Sequence, residues 1–365
     1  DYIELFKKFG YSYGTQESYA LDHVAHTVLG ERKLSYEEHG SLHELYKNDH
    51  QKFIDYNIRD VQVVQRIDEK MGLIDLVMTM AYRGGVNISD TFGTTAIWDS
   101  IIYRELNLKN IVIPPYIEKP KQAYPGGYVK DPMVGSHDWV VSFDLNSLYP
   151  NLIVQYNMSP ETLMPGLLDH GVDRYLNGPA PESEYSVAAN GSQYSKEKQG
   201  VLPKIIEEMY TERVDVKKAM IKAQQELQRI DKSDKQELYR IQKEISLNEN
   251  RQMAIKILLN SLYGALGNRY FRFFDQRVAE AITLSGQAII RWGENAANDY
   301  LNKALKTSSD YVLAIDTDSL YIGLGPLVDA VKPDNPIDFL DKVGREAIEP
   351  VFEKAYQKFY EIFGG

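Results

Sequence analysis

Two helix-length periodic stretches, at about residues 203–230 and 236–266, are separated only by the turn-forming run DKSDK. At 1.5 Å per residue each reaches on the order of 40 Å, too long to be swallowed by one compact core. The pair therefore predicts a helical hairpin projecting from a compact body. Pro203 stands in the first turn of the first helix, where a missing N–H is tolerated, and Gly267 closes the second.

The rest of the chain must supply that body. Residues 1–76 read as helical and polar, with a periodic stretch over 44–71 in which Phe53, Tyr56, Val61, Val64 and Ile67 recur at three- and four-residue steps. A connecting unit over 77–116 carries helical signals and ends near the breaker pair Pro114-Pro115. Strands follow: YPGGYVKDP reads as a turn and strand, and DWVVSFDL as a strand ending at Asp144. Residues 177–200, rich in Gly, Ser, Asn and Pro, read as loop with at most a short hairpin. Beyond the long helices, a third helix is predicted over about 275–305. The strands YVLAI and SLYIGL come next, joined through Asp316-Thr317-Asp318, and an amphipathic helix covers 337–363. The class is α+β, and no internal repeat is visible.

Composition narrows the function. The 365 residues suffice for two or three structural units, with 43% hydrophobic and 25% charged residues in a globular balance. No run approaches the roughly 18–20 apolar residues of a membrane span, and the start DYIELFKKFG lacks a signal-peptide layout. A soluble cytoplasmic protein without a membrane partner is expected. The absence of cysteine excludes disulfides, thiolate zinc sites and cysteine nucleophiles. The pairs His23/His26 and His39/His43 have ligand spacing, but no third ligand or HExxH pattern accompanies them, so surface and packing roles are expected. The formal net charge of −11 argues against a generic nucleic-acid binder. It leaves room for an enzyme that handles nucleic acid through metal ions held by clustered carboxylates.

Asp144 and the pair Asp316/Asp318 are candidates for such a cluster, since all three fall at strand ends. Two magnesium ions about 3.5–4 Å apart can neutralise the attacking and leaving oxygens of a phosphoryl transfer. The competing reading of DTDS is an ordinary Asp-rich hairpin turn. A second group lies on one predicted helix face: Lys256, Asn260 and Tyr263 at i, i+4 and i+7, with Gly264 giving close backbone access. Arg213 and Lys217, at i and i+4 on the opposing helix, repel one another unless an anion joins them. Three such cations suit a triphosphate; the plainer alternative is a solvated face, since Glu208 and Glu212 lie nearby.

The order DLNSLYP (144–150), KILLNSLYG (256–264) and DTDS (316–319) resembles motifs A, B and C of family B DNA polymerases. The runs KILLNSLYGALGNRYF and FDLNSLYPNLIVQYNMSPET have the flavour of the polymerases of T-even-like tailed phages. The resemblance covers nearly the whole chain. It implies that Asp144 and Asp318 bind two magnesium ions (manganese as a substitute), with the Leu145 carbonyl as a further ligand and Asp316 in support. The amides of Ser147, Leu148 and Tyr149 would cradle nucleotide phosphates, and Tyr149 would lie under the sugar as a gate against a 2′-hydroxyl. Arg213, Lys217 and Lys256 would hold the triphosphate with help from Asn260, and Tyr263 and Gly264 would line the nascent base-pair pocket. Lys256 would also donate a proton to the leaving group. YPGG (124–127) resembles the motif between exonuclease and polymerase domains that contacts template backbone. YNIRD (56–60) resembles the third exonuclease motif, with Asp60 as metal ligand and Tyr56 orienting water.

The resemblance also implies an organisation. Residues 1–76 would be the C-terminal remnant of an RNase H-like 3′-end exonuclease domain and 77–116 a connecting region. Residues 117–199 and 269–365 would form a palm built on a four-stranded antiparallel sheet, and 200–268 a two-helix fingers insertion. The first two exonuclease motifs and the thumb do not appear in the sequence, so a fragment or split-gene product is expected, with proofreading only partial. Ala314-Ile315 stands where the family has Tyr-Gly, and the fingers hairpin is shorter than in the T-even phage enzymes. The expected function is template-directed DNA synthesis from dNTPs on primer–template DNA. Expected partners are a sliding clamp and replisome proteins, and a second polypeptide could supply the thumb. The alternatives are a half polymerase inactive without that partner chain, and a two-metal nuclease, which would leave Tyr149 and the Lys256–Gly264 face without a purpose. If the gene belongs to a phage, the location is the host cytoplasm.

Overall fold

Asp1 caps the first helix, α1 (Tyr2–Phe9), its carboxylate accepting the Ile3 N–H at 3.2 Å. Three further helices follow: α2 (Leu21–Leu29), α3 (Leu42–Asn48) and α4 (His50–Met71). The periodic stretch 44–71 is thus two helices, because Asp49 leaves helical geometry and caps α4 by accepting the Lys52 N–H. Gly72, at φ 62°, ends α4 in the left-handed conformation and lets α5 (Leu73–Gly84) start at once. The core here is formed by residues such as Phe6, Val28, Leu45, Val63, Ile67 and Met80, each at most 3% exposed. α2 and α3 pack on α4, and α1 packs on α5.

This computed structural model describes residues 1–120, 122–179, 181–230 and 234–363. The chain divides into two compact units, Asp1–Gly93 with Arg213–Ile255, and Thr94–Glu212 with Lys256–Gly365. The second unit opens with α6 (Thr94–Leu108), whose Trp98 is fully buried and donates its indole N–H to Ser261 Oγ at 3.0 Å. Then come β1 (Val129–Lys130), β2 (Val140–Asp144), α7 (Leu148–Gln155), β3 (Leu163–Leu167), α8 (Val172–Asn177), β4 (Ser186–Val187) and β5 (Ser192–Tyr194). The short hairpin expected within 177–200 is β4–β5, and β3 joins it in a three-stranded antiparallel sheet ordered β3-β5-β4.

The long helices are α9 (Val201–Arg229) and α10 (Lys235–Leu266). Arg240 of α10 bonds Glu226 of α9 at 3.1 Å. The expected turn at residues 231–233 lies outside the described residues. α11 (Gln276–Leu305), capped by Asp275, leads to β6 (Val312–Asp316) and β7 (Ser319–Gly323). α12 (Gly325–Val331), α13 (Pro336–Val343) and α14 (Glu349–Phe363) complete the chain. The amphipathic stretch 337–363 is helical throughout, as expected, with one π turn at Gly344–Ile348 between α13 and α14.

The four strands anticipated for the body form an antiparallel sheet ordered β1-β6-β7-β2. Alternation puts Leu320 and Ile322 of β7 on one face, and a register shift between Val312 and Ala314 brings Val312 and Ile315 of β6 into the same core. Leu320, Ile322, Val312 and Ile315 are buried in a core shared with Ile290, Leu301 and Phe352 of α11 and α14, while Asp144 and Asp316 stay exposed at the strand ends. Ile315 is only 1% exposed: the position faces the core and the side chain fills it. The fold is α+β. Among the described residues no helix is long and apolar enough to cross a membrane.

Candidate active site

Asp144 ends β2 directly opposite Ser319 of β7, and the Ser319 hydroxyl donates to Asp144 Oδ1 at 3.1 Å. The next residue, Leu145, donates its N–H to the Asp318 carbonyl at 2.8 Å. Asp318 itself sits in the β6–β7 connection, where its N–H donates to the Asp316 carbonyl at 2.6 Å and Thr317 takes φ 58°. That value is unusual for a β-branched residue, and the conformation is held by the Thr317 N–H donating to the Tyr128 carbonyl at 2.9 Å. Burial, then the charge of Asp144 and also that of Asp316, raise the Asp318 carboxyl above its ordinary value. Sheet pairing alone thus brings the three aspartates of two distant motifs into electrostatic contact.

Beside them stands a tyrosine platform. Ser147, at φ 55°, is the left-handed N-cap of α7, so Leu148 and Tyr149 occupy first-turn positions whose N–H groups lack helical partners. The Tyr149 ring lies 4.8 Å from that of Tyr263 in α10. Gly286 of α11 and Gly127 make room for it. A β-carbon on Gly286 would come within 2.9 Å of Tyr149 Cε1, and one on Gly127 within 3.0 Å of the Tyr149 hydroxyl and 2.7 Å of Thr317 Oγ1. Burial, the charge of Asp318 and Tyr124 push the Tyr149 phenol up to about 12, and burial with the Tyr124 hydrogen bond raises Tyr263 further still. The 124–127 segment is pinned to α11, where Thr283 Oγ1 donates to the Pro125 carbonyl at 2.9 Å and Gln287 Nε2 to the Gly126 carbonyl at 2.7 Å. The motif at 124–127 therefore meets all three of the other motifs around one ring. Gly286 was not legible as a site residue in the sequence, and Gly127 was singled out there only as part of YPGG, because a glycine's neighbours across the fold leave no local pattern.

The basic candidates divide. Lys256, Asn260 and Gly264 form one exposed face of α10 with half-buried Tyr263 at its edge, while Leu258, Leu259, Leu262 and Ala265 are buried on the other side. A β-carbon on Gly264 would meet nothing within 4 Å, so that face is open. Lys256 and Lys217 make no ion pair among the described residues. Arg213 and Lys217 belong to the first unit and Lys256 and Asn260 to the second. Arg213 is half-buried, and its Nε has no hydrogen-bond partner.

Asp60 lies in the first unit with Tyr56 one helical turn before it on α4. Lys33, which the sequence did not single out, donates to the Tyr56 hydroxyl at 2.6 Å and pairs with Asp60 Oδ2 at 2.8 Å. Burial would lower the Lys33 ammonium, but its hydrogen bonds to Asp60 and Tyr56 outweigh this and raise it. Asp60 Oδ1 is buried without a partner. A lone carboxylate already neutralised by an ammonium does not suit a divalent ion. Among the described residues no group of three or more His, Cys, Asp or Glu side chains forms a ready-made metal centre. The donors at the sheet end do fit magnesium, which commonly takes only one or two carboxylates and lets substrate phosphates complete its shell.

Comparison with known proteins agrees with the motif geometry. Residues 93–332 match the model of DNA polymerase family B. The chain is 36% identical, over an alignment 405 positions long, to the DNA-directed DNA polymerase of Escherichia phage RB69, covering 99% of this chain and 44% of that protein. It is 35% identical over 402 residues to the DNA-directed DNA polymerase of Enterobacteria phage T4, covering 98% and 44%. DNA polymerase II of Escherichia coli (strain K12) is 26% identical over 311 residues, covering 84% and 34%. The chain thus spans less than half the length of these relatives. With the three motif carboxylates gathered at one sheet end and this similarity along nearly its full length, the chain belongs to DNA polymerase family B.

Proposed function

We propose that the chain carries out template-directed DNA synthesis, adding deoxynucleotides from dNTPs to a primer 3′-hydroxyl. The observation that carries this reading is the meeting of Asp144 and Asp318 at one end of the four-stranded sheet, beside the Tyr149–Tyr263 ring pair. In this reading Asp144 and Asp318, with the Leu145 carbonyl and Asp316 in support, hold magnesium, for which manganese can substitute. Bound there, the metal supplies Lewis-acid stabilisation of charge on the attacking and leaving oxygens. The chain's own residues do the rest. The first-turn amides at Ser147, Leu148 and Tyr149 bind phosphate oxygens. The Tyr149 ring, held by Gly127 and Gly286, lies under the sugar and leaves no room for a 2′-hydroxyl. Arg213, Lys217 and Lys256 bind the triphosphate with Asn260, and Lys256 donates a proton to the departing pyrophosphate. Tyr263 and Gly264 line the pocket of the new base pair. Placement and preorganised charge supply most of the rate.

The test is extension of a labelled primer on a template by the purified chain, with dNTPs and magnesium. Extension is expected, stopped by chelation and lowered at least about 10²–10³-fold by Asp318→Asn, the loss typical of removing one preorganised charge. Full activity in Asp318→Asn would sink the reading. Extension appearing only after a second polypeptide is added would instead favour a half polymerase.

A further inference from the structure

Thr317, in the turn between Asp316 and Asp318, holds φ 58°, a conformation that a β-branched residue adopts only where its surroundings impose it. Its hydroxyl donates to Asp316 Oδ1 at 3.2 Å, and the Asp318 N–H closes the turn on the Asp316 carbonyl at 2.6 Å. What fixes Thr317 therefore fixes the carboxylates on either side of it. The segment 127–130 does so at three points. A β-carbon on Gly127 would meet Thr317 Oγ1 at 2.7 Å, the Tyr128 carbonyl accepts the Thr317 N–H at 2.9 Å, and Val129 pairs with Asp316 in the sheet.

Pairing alone holds β1 weakly. It is two residues long at the sheet edge with β6 as its neighbour, so it forms few ladder bonds, each of small net worth. The firmer hold is ionic. The Lys130 ammonium reaches Glu294 of α11 at 2.6 Å and Asp310, just before β6, at 2.5 Å. Asp310 also accepts the Asn298 amide at 2.9 Å, and Asn298 Oδ1 accepts the Tyr311 N–H at 2.8 Å. The Arg291 guanidinium lies 5.3 Å from the centre of the Tyr128 ring. Arg291, Glu294 and Asn298 fall at i, i+3 and i+7, so one face of α11 grips both β1 and the entry to β6. Lys130 is 18% exposed and Glu294 14%, which spares their contact the screening that weakens surface pairs. Lys130 acts on the turn through two residues of strand, about 7 Å.

We propose that Lys130 and Glu294 are positioning residues for the divalent metal at Asp144, Asp316 and Asp318: they brace β1, which keeps Thr317 in its left-handed conformation and its flanking carboxylates in place. The proposal rests on reading these aspartates as a metal site, and direct metal binding tests the two separately. The probe is Mn²⁺, titrated into the full chain and followed by electron paramagnetic resonance at a temperature where each variant is folded. Lys130→Met raises the Mn²⁺ dissociation constant about tenfold, the low end of what losing support behind metal ligands costs. In single-nucleotide incorporation the same variant needs about tenfold more Mg²⁺ for half-maximal rate, while saturating Mg²⁺ restores kcat to within about threefold because the ligands remain. Glu294→Ala, which leaves Asp310 to hold the ammonium, raises the dissociation constant about threefold, and Glu294→Gln, which keeps an acceptor, returns it to within about twofold of the unmodified chain. Arg272→Met is the control for a plain loss of stability. It breaks another ion pair in the same compact unit, Arg272 with Asp99 at 2.8 Å, and leaves Mn²⁺ affinity unchanged. Unchanged affinity in Lys130→Met overturns the proposal, as does equal weakening in Arg272→Met. Should Lys130→Met not fold, Glu294→Ala decides by the same comparison. If the unmodified chain binds no Mn²⁺, the metal reading itself fails and amide exchange decides the brace: the Thr317 N–H exchanges about tenfold faster in Lys130→Met, and unaltered exchange refutes it.

Discussion

Gly127 is the residue on which the site geometry most depends. Its missing side chain lets Thr317, from the turn between Asp316 and Asp318, and the hydroxyl of Tyr149 approach the same backbone. A methyl group there would sit 2.7 Å from Thr317 Oγ1 and 2.9 Å from Thr317 Cγ2, and a β-branched side chain has few rotamers with which to escape. Gly127→Ala is therefore expected to destabilise the chain by about 1–3 kcal/mol, the usual penalty of overpacking. Incorporation should fall by more than the loss of folded protein explains, because the displaced residue lies between two of the aspartates. Denaturant midpoint and incorporation rate, measured on the same preparation, check this; a variant that loses stability but keeps its rate would show that Thr317 can move without disturbing Asp318. At this scale the sequence supplied the candidates for chemistry, since Asp144, Asp318, Tyr149 and Lys256 are recognisable by type and spacing, and the structure brings Asp144 and Asp318 together beside Tyr149. It did not reveal Gly286 or Lys33, nor that Gly127 of the YPGG motif would lie against Tyr149 and Thr317, since the importance of these residues lies in what they touch.

Among the elements, β1 shows how little local signal a site strand needs. It is two residues long and pairs only with β6 in the sheet, yet Lys130 fastens it through Glu294 of α11 at 2.6 Å and Asp310 at 2.5 Å. Lys130 is 18% exposed and Glu294 14%. Lys130→Met should cost about 2 kcal/mol, between the ~1 of an exposed pair and the ~3–5 of breaking a buried one. The pH dependence has a definite sign. Burial alone would raise the Asp310 carboxyl, but Lys130 and other donors hold it below its ordinary 3.8, so its contribution is present above that value and lost as pH falls below it. Burial alone would lower Lys130, but the two carboxylates hold it above its ordinary 10.5, so its contribution is complete below that value and lost as pH rises beyond it. The stability gap between Lys130→Met and the unmodified chain should be flat through neutral pH and narrow at both extremes. Thermal melts across the pH range test this, and a gap that widens in acid would contradict it. The long helices were legible because a 3.6-residue period repeated many times is a strong local signal. The three-stranded sheet was not, because β4 and β5 are two and three residues long and take their partners from elsewhere. The break at Asp49 and the π turn after α13 were likewise invisible to periodicity, which continues across both.

The 365-residue chain carries 41 basic against 52 acidic residues, so it would offer DNA no general attraction. Under the proposed function binding would come from local cations, and without nucleotide the chain should bind primer–template no better than about 10⁻⁴–10⁻⁶ M at physiological salt, weakening steeply from 50 to 200 mM as counterions compete. Fluorescence anisotropy with labelled DNA measures this directly, and nanomolar binding indifferent to salt would refute it. Two compact units share the chain, and α9 and α10 each contribute residues to both, a division that no composition shift in the sequence marks. By itself the sequence determined the class of fold, the long helices and the candidate site residues, because periodicity and motif spacing are properties of neighbouring residues. Only the tertiary structure decided that Asp144 meets Asp318, that three other segments close on Tyr149, and that the loop from Asn157 to Glu161 caps the start of α9. These contacts join residues far apart along the chain, and the strand order β1-β6-β7-β2 that creates the first of them is a choice of non-local pairing that no local pattern encodes.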